Sequence, residues 1–245
     1  MRCTFLLAAA IVVLGAVADA GTPRLPESFS YTIFINGQRA GRSEARVTHT
    51  EDAISIESKS WVELGQGTIE ISCWTEADPH TFRVRTVRYQ GVNPSALLEG
   101  TTEVSGDTVF TNRVEQDQMI ERVEVSRVGG PIVIEDFDMT YQVLLARALA
   151  LSDDPVKSFG LVFASTGALL EAKAAFRSEA AVESNTQEAI CKLLVVDVTN
   201  GSPYVSYYDP ERGMPVYLAF PTAMTEAFLD DFFGDEPITR WRADE

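Results

Sequence analysis

Histidine and cysteine are scarce in this sequence, and no segment carries a catalytic signature. Two histidines, His49 and His80, and three cysteines are all that 245 residues contain. Both histidines stand beside stretches that read as turns, with no second ligand at metal-binding spacing, so a metal centre is not expected. No G-x-S-x-G, H-E-x-x-H, phosphate-loop or dinucleotide fingerprint occurs. No acid, base and nucleophile can be placed together, so neither enzymatic activity nor a cofactor is expected. Positive charge is also short: 20 Lys and Arg against 36 Asp and Glu give a net charge of −16. That argues against nucleic acid, which needs a basic footprint, and against an anionic membrane surface. It leaves room for an apolar ligand held inside, with the acidity serving solubility.

The longest apolar stretch lies at the N-terminus. Arg2 precedes the run Phe5 to Val17, and Ala18-Asp19-Ala20 follows it. A positive start, an apolar centre and an A-x-A end make a secretory signal. The run is about 13 residues, short of the roughly 20 that a spanning helix needs. Residues 1–20 are therefore expected to be removed, leaving 21–245 as a single β-rich domain with a loose acidic tail, periplasmic or secreted. Cys73 and Cys191 then remain. Export permits a disulfide between them, and their spacing alone does not decide it.

Beyond Glu27, most of the chain alternates with period two. Phe29, Tyr31, Ile33 and Ile35 alternate with polar partners up to Asn36-Gly37, a pair that tolerates the backbone of a tight hairpin turn. Gly41, Ser43, Ala45 and Val47 continue the pattern, as do Ile54 and Ile56, then Ile69, Ile71 and Cys73. Turns at Leu64 to Gly67, Ala77 to His80 and Ser105 to Asp107 separate short strands, as in an antiparallel meander. Ala168 to Val182 has helical composition but strand periodicity: Leu170, Ala172, Ala174 and Phe176 share one side. The period favours strand. A hairpin is expected around Asp209 to Gly213, and an amphipathic helix over Thr222 to Phe233 with Ala223, Ala227 and Phe228 inward.

One segment breaks this pattern. Phe137 to Leu151 carries Tyr141, Leu144, Leu145, Ala148 and Leu149 at helical spacing. Glu135, Asp136 and Asp138 stand where a first turn favours negative charge, so capping is a simpler role for them than acid–base chemistry. Asp230, Asp231, Asp235 and Glu236 lack the spacing of a calcium loop and read as a solvated end. Arg147 lies among apolar residues. Either its stem packs on the surface with its head in water, or it anchors an acidic head group at the mouth of a half-barrel.

Three stretches together, FSYTIFINGQRAGRSEARV, MTYQVLLARAL and VSYYDPERGMPVYLAF, resemble exported bacterial proteins of the domain of unknown function 3108 family. That family is similar in general shape to the half-barrel of periplasmic lipoprotein carriers. The resemblance brings no catalytic residues. It implies a mainly β (α+β) fold: a long curved antiparallel sheet or half-barrel around one central helix, with a short C-terminal helix. The concave face would collect Tyr31, Ile33 and Ile35 with Ile69 and Ile71, and the helix would add Leu145 and Arg147. Of these, Tyr31, Ile33, Ile71, Leu145 and Arg147 are the expected ligand-binding residues. Two functions fit: binding of a lipid or other apolar ligand, or an interaction module with a filled core that docks envelope proteins. Exported protein should have an intact mass that starts after Ala20; a mature chain still beginning at Met1 would refute the signal.

Overall fold

The computed structural model describes residues 23–234 apart from 66, 94–95, 116–117, 135–137 and 152–155. The expected leader, Glu135 and Asp136, and the tail carboxylates Asp235 and Glu236 lie outside the described residues. A first meander runs through β1 (Ser28–Ile35), β2 (Gln38–His49), β3 (Ile54–Leu64), β4 (Gly67–Ala77), β5 (Val84–Asn93), β6 (Ala96–Ser105), β7 (Thr108–Glu115) and β8 (Gln118–Val125). Next come β9 (Ile132–Ile134) and the helix α1 (Met139–Ala150). A second meander comprises β10 (Val156–Phe163), β11 (Leu169–Glu183), β12 (Glu188–Val198), β13 (Tyr204–Asp209), β14 (Met214–Phe220) and β15 (Thr225–Leu229). A short helix α2 (Asp230–Phe233) closes the described chain.

All fifteen strands form one sheet, in the order β8 to β1, then β15 down to β9. The two meanders meet where β15 pairs antiparallel with β1, Tyr31 opposite Leu229 and Ile33 opposite Ala227. Only the β9–β10 pair among these is parallel. The hairpin at Asn36-Gly37 forms as the sequence implies, with both residues at positive φ. The Ala168 to Val182 stretch is a strand, long enough to pair β10 on one side and β12 on the other.

The sheet wraps on itself without a closing ladder. The turn between β10 and β11 lies against side chains of β5, β6 and β7. The Tyr89 hydroxyl donates to the Ser165 carbonyl (3.2 Å), Thr102 Oγ1 to Ala164 (2.8 Å), and Arg113 Nη1 to Thr166 (3.2 Å). Inside the wrap sits α1. The sequence pattern implied one buried face; in the fold every residue from Met139 to Leu149 is buried. A helix apolar nearly all round is one that has no solvated side.

An enclosed helix start needs polar partners for its free N–H groups. They come from the sheet. Asp138 caps the helix, accepting from the Thr140 N–H at 3.0 Å and from Ser58 Oγ at 2.5 Å. The Met139 N–H donates to Ser43 Oγ (3.1 Å), which is held by Ser60 Oγ (2.8 Å). The Tyr141 hydroxyl pairs with Thr75 Oγ1 at 2.8 Å. Ser43, Ser58, Ser60 and Thr75 occupy inward positions of β2, β3 and β4, so the sheet carries a polar strip where the helix begins.

The expected helix over Thr222 to Phe233 is replaced by a 3-10 turn at Pro221–Ala223, the strand β15 and the short α2. Thr225, Ala227 and Leu229 are buried at alternate positions, and β1 would otherwise expose an unpaired edge. Asp230 is not solvated either. It accepts from Ser30 Oγ and Thr32 Oγ1 and pairs with Arg42 at 3.0 Å, fixing α2 over the outer face of β1. Phe34, Phe228 and Phe233 make edge-on aromatic contacts there.

Asp138 yields a pH test. Burial raises its carboxyl above the usual value of 3.8, against the lowering effect of its hydrogen bonds. The protonated form is thus favoured by folding, and that stability is lost as pH rises through the folded value. Between pH 4 and pH 7 the urea midpoint of the wild type should fall relative to that of Asp138→Asn. A difference that stays constant with pH would show that the carboxyl titrates normally.

Candidate functional site

The expected ligand residues lie deep in the wrap. Tyr31, Ile33 and Leu145 are fully buried, and Ile71 nearly so. The Tyr31 hydroxyl donates to the Pro215 carbonyl at 2.6 Å, tying β1 to β14. Tyr31, Ile33, Ile71 and Leu145 belong to one apolar core, and Arg147 is buried beside it. None of the five lines the apolar cavity that adjoins α1.

That cavity, ≈ 350 Å³, lies between the first turns of α1 and the strands of the second meander. Met139 and Gln142 form its helix side. Leu161, Phe163, Leu170 and Val198 come from β10, β11 and β12, and Tyr204 and Phe220 stack with centroids 5.3 Å apart. Its walls are mainly apolar. Two buried polar atoms on its lining have no hydrogen-bond partner: Gln142 Oε1 and the Tyr204 hydroxyl. A third, Ser206 Oγ, belongs to the next residue on the Tyr204 side of β13. Burial pushes the Tyr204 hydroxyl far above its ordinary pKa, so it stays protonated and able to donate. Leaving a buried polar group unpaired costs about 1–3 kcal/mol. An apolar space with an acceptor and a donor at its wall is built to hold an apolar molecule bearing one hydroxyl, carbonyl or acid group. Larger hollows lie on the outer face of β1 to β8, where Glu57, Glu76, Glu99 and Glu103 make them polar and open to water.

Arg147 is the second unusual feature. The surface reading of this residue does not hold: it is 0 % exposed, and Nε, Nη1 and Nη2 all lack a hydrogen-bond partner. No described carboxylate pairs with it. The Phe82 ring stands over the guanidinium at 4.4 Å, and Tyr208 interacts with it electrostatically. Burial lowers its pKa. A desolvated cation–π contact is worth about 2 kcal/mol, whereas burying one ion costs several. The ring alone leaves the charge under-compensated.

Among the described residues no group of three His, Cys, Asp or Glu could hold a metal. Cys73 and Cys191 are both buried and unbonded to each other. His80 is exposed, and His49 ends β2 with Nε2 3.1 Å from the Leu25 carbonyl.

Sequence reading reached Arg147 but not Gln142 or Tyr204. The available signal was the helix itself: with apolar residues on all sides of it, Gln142 has no solvated face to occupy. Tyr204 opens a strand and carried no such signal.

No family model matches the sequence, and no curated protein matches it. Solved structures do. A β-barrel-like protein of the domain of unknown function DUF1849 from Brucella abortus is similar at a TM-score of 0.57 and 9% identity, over 84% of this chain and 95% of that one. A DUF1089 family protein from Pseudomonas aeruginosa has a TM-score of 0.43 at 11% identity, over 74% of this chain and 90% of that one. The first likeness shows a shared β-barrel-like fold; the resemblance to the domain of unknown function 3108 family is finer than what is matched.

Proposed function

We propose that this chain is an exported envelope protein that binds an apolar or lipid-like ligand between α1 and the second meander. The observation that carries the reading is the apolar cavity with unpaired Gln142 Oε1 and Tyr204 hydroxyl at its wall. Its volume falls at the lower end of small-molecule pockets, about 300–1,000 Å³, which suits one acyl chain or a compact apolar molecule. The ligand's apolar surface contributes about 25 cal/mol per Å² removed from water, and the two polar atoms fix its orientation. The signal-like N-terminus and the resemblance to the domain of unknown function 3108 family and to periplasmic lipoprotein carriers support an envelope role. The protein acts as a binder, with no chemistry of its own.

A second reading rests on β8. This terminal strand of the sheet exposes Met119 (63 %), Val123 (60 %) and Val125 (56 %) on the same face as Phe110 (42 %) of β7. A free, apolar edge is a template for an added strand, so an envelope protein could dock there.

Two tryptophan substitutions separate ligand cavity from filled core. Leu170, half-buried, borders the cavity; Ile71 sits in packed core. In delipidated protein, Leu170→Trp should abolish binding of a fluorescent fatty-acid probe and leave the melting temperature nearly unchanged. Ile71→Trp should overpack, cost about 1–3 kcal/mol and spare probe binding. A wild type that binds no probe would remove the ligand reading and leave the docking edge.

A further inference from the structure

Arg147 presents a cation whose donors are all unused. Its guanidinium carries several N–H groups in a flat fork, a shape that matches carboxylate and phosphate oxygens in pairs. The Phe82 ring covers one π face at 4.4 Å, which leaves the edge donors free. Gly213, at φ +65, lets its backbone lie close to the guanidinium: a Cβ there would stand 2.7 Å from Nη2 and 3.1 Å from Cζ.

Phe82 itself is held in an unusual state. Its φ is +56, a left-handed conformation that bulky residues rarely adopt. The loop around it enforces this. The Phe82 N–H donates to the Asp78 carbonyl (2.9 Å) and the Asp78 N–H to the Arg83 carbonyl (2.8 Å). Asp78 Oδ1 accepts from the N–H groups of His80 and Thr81, and its other oxygen pairs with Arg85 at 2.6 Å. Strain of this kind gathers at functional sites. On the outer side of Phe82 lies a recess of ≈ 540 Å³ bordered by Arg24, His49, His80 and Ile54. Glu51 is the one acidic residue on its lining. Phe82 therefore separates an open recess with basic groups at its border from a buried cation with no counter-charge among the described residues.

We propose that Arg147 is the anchor of an oxyanion-binding site roofed by Phe82, which takes a single carboxylate or phosphate group from the recess above. When the ring turns aside, the anion pairs with the edge of the guanidinium fork and supplies the charge and acceptors that the described residues do not. The site lies apart from the cavity at Gln142 and stands independently of it. The anion is either a free ion or the head group of an amphiphile; the chemistry at Arg147 is the same.

The test titrates wild-type protein with inorganic phosphate, dodecanoate and dodecanol, followed by melting temperature and calorimetry. Phosphate or dodecanoate should raise the wild-type melting temperature progressively, since a ligand of the folded state stabilises it. Arg147→Met, similar in length and uncharged, should show only the small general salt effect, and Arg147→Lys should respond in part. Phe82→Ala removes the roof and should bind the anion more tightly than wild type, by the inverse of the fraction of time the roof is open. Dodecanoate bound more tightly than both phosphate and dodecanol, in an Arg147-dependent way, identifies a head group; phosphate bound as well as dodecanoate identifies a free ion. The proposal is overturned if neither anion shifts the wild type beyond Arg147→Met. If Arg147→Met does not fold, Phe82→Ala decides: anion affinity no tighter than wild type overturns the proposal, because Phe82 is then only a packing partner. Blockage of dodecanol binding by Leu170→Trp reports on the apolar cavity alone, so failure of either site is seen separately.

Discussion

The whole interior is governed by one constraint: α1 is enclosed on every side, so each polar group it carries must be matched inside the barrel or go unmatched. Water cannot do for this helix what it does for a surface one. The backbone at the helix start meets the constraint through its cap. Asp138, Ser58, Ser43, Ser60 and Thr75 form a set of hydrogen bonds that fixes the helix start against β2, β3 and β4. The side chains of Thr140, Gln142 and Arg147 do not meet it, and neither do Tyr204 and Ser206 on β13. These unmatched atoms belong to the helix or to β13.

Space survives next to this tightly held helix, in a sheet that closes without a backbone ladder. A barrel closed by a backbone ladder has its radius set by strand number and tilt. Here the sheet ends at β8 and β9, and the wrap is completed by Tyr89, Thr102 and Arg113 reaching the β10–β11 turn. The helix is anchored by hydrogen bonds to the first meander. The second meander meets the helix mainly through β14, and the cavity lies where Met139 and Gln142 face Leu161, Leu170, Val198 and Tyr204.

Much of the fold was legible because strand periodicity is written locally. Phe29 to Ile35, Asn36-Gly37 and Gly41 to Val47 specify a hairpin without reference to anything distant. Leu169–Glu183 shows the same rule winning over helical composition, since its charged and apolar residues separate only with period two. The C-terminal stretch was misread because Thr225 to Leu229 is a strand by virtue of β1, some two hundred residues away in sequence, whose edge it covers. The burial of Arg147 was hidden for a similar reason. A helix with one arginine among leucines reads as amphipathic until the sheet is known to wrap fully round it. Of the many inward side chains, those that face a gap are picked out by how distant strands pack around α1, and no local pattern records that.

The central claim is that the space between α1 and the second meander is occupied in the cell. Native mass spectrometry of protein purified gently from the envelope tests it most directly. The account predicts a mass above that of the polypeptide by one lipid-sized adduct, which organic extraction removes and Leu170→Trp lacks. Bare polypeptide mass from wild type and variant alike, under conditions that preserve a known lipid carrier with its cargo, would contradict it.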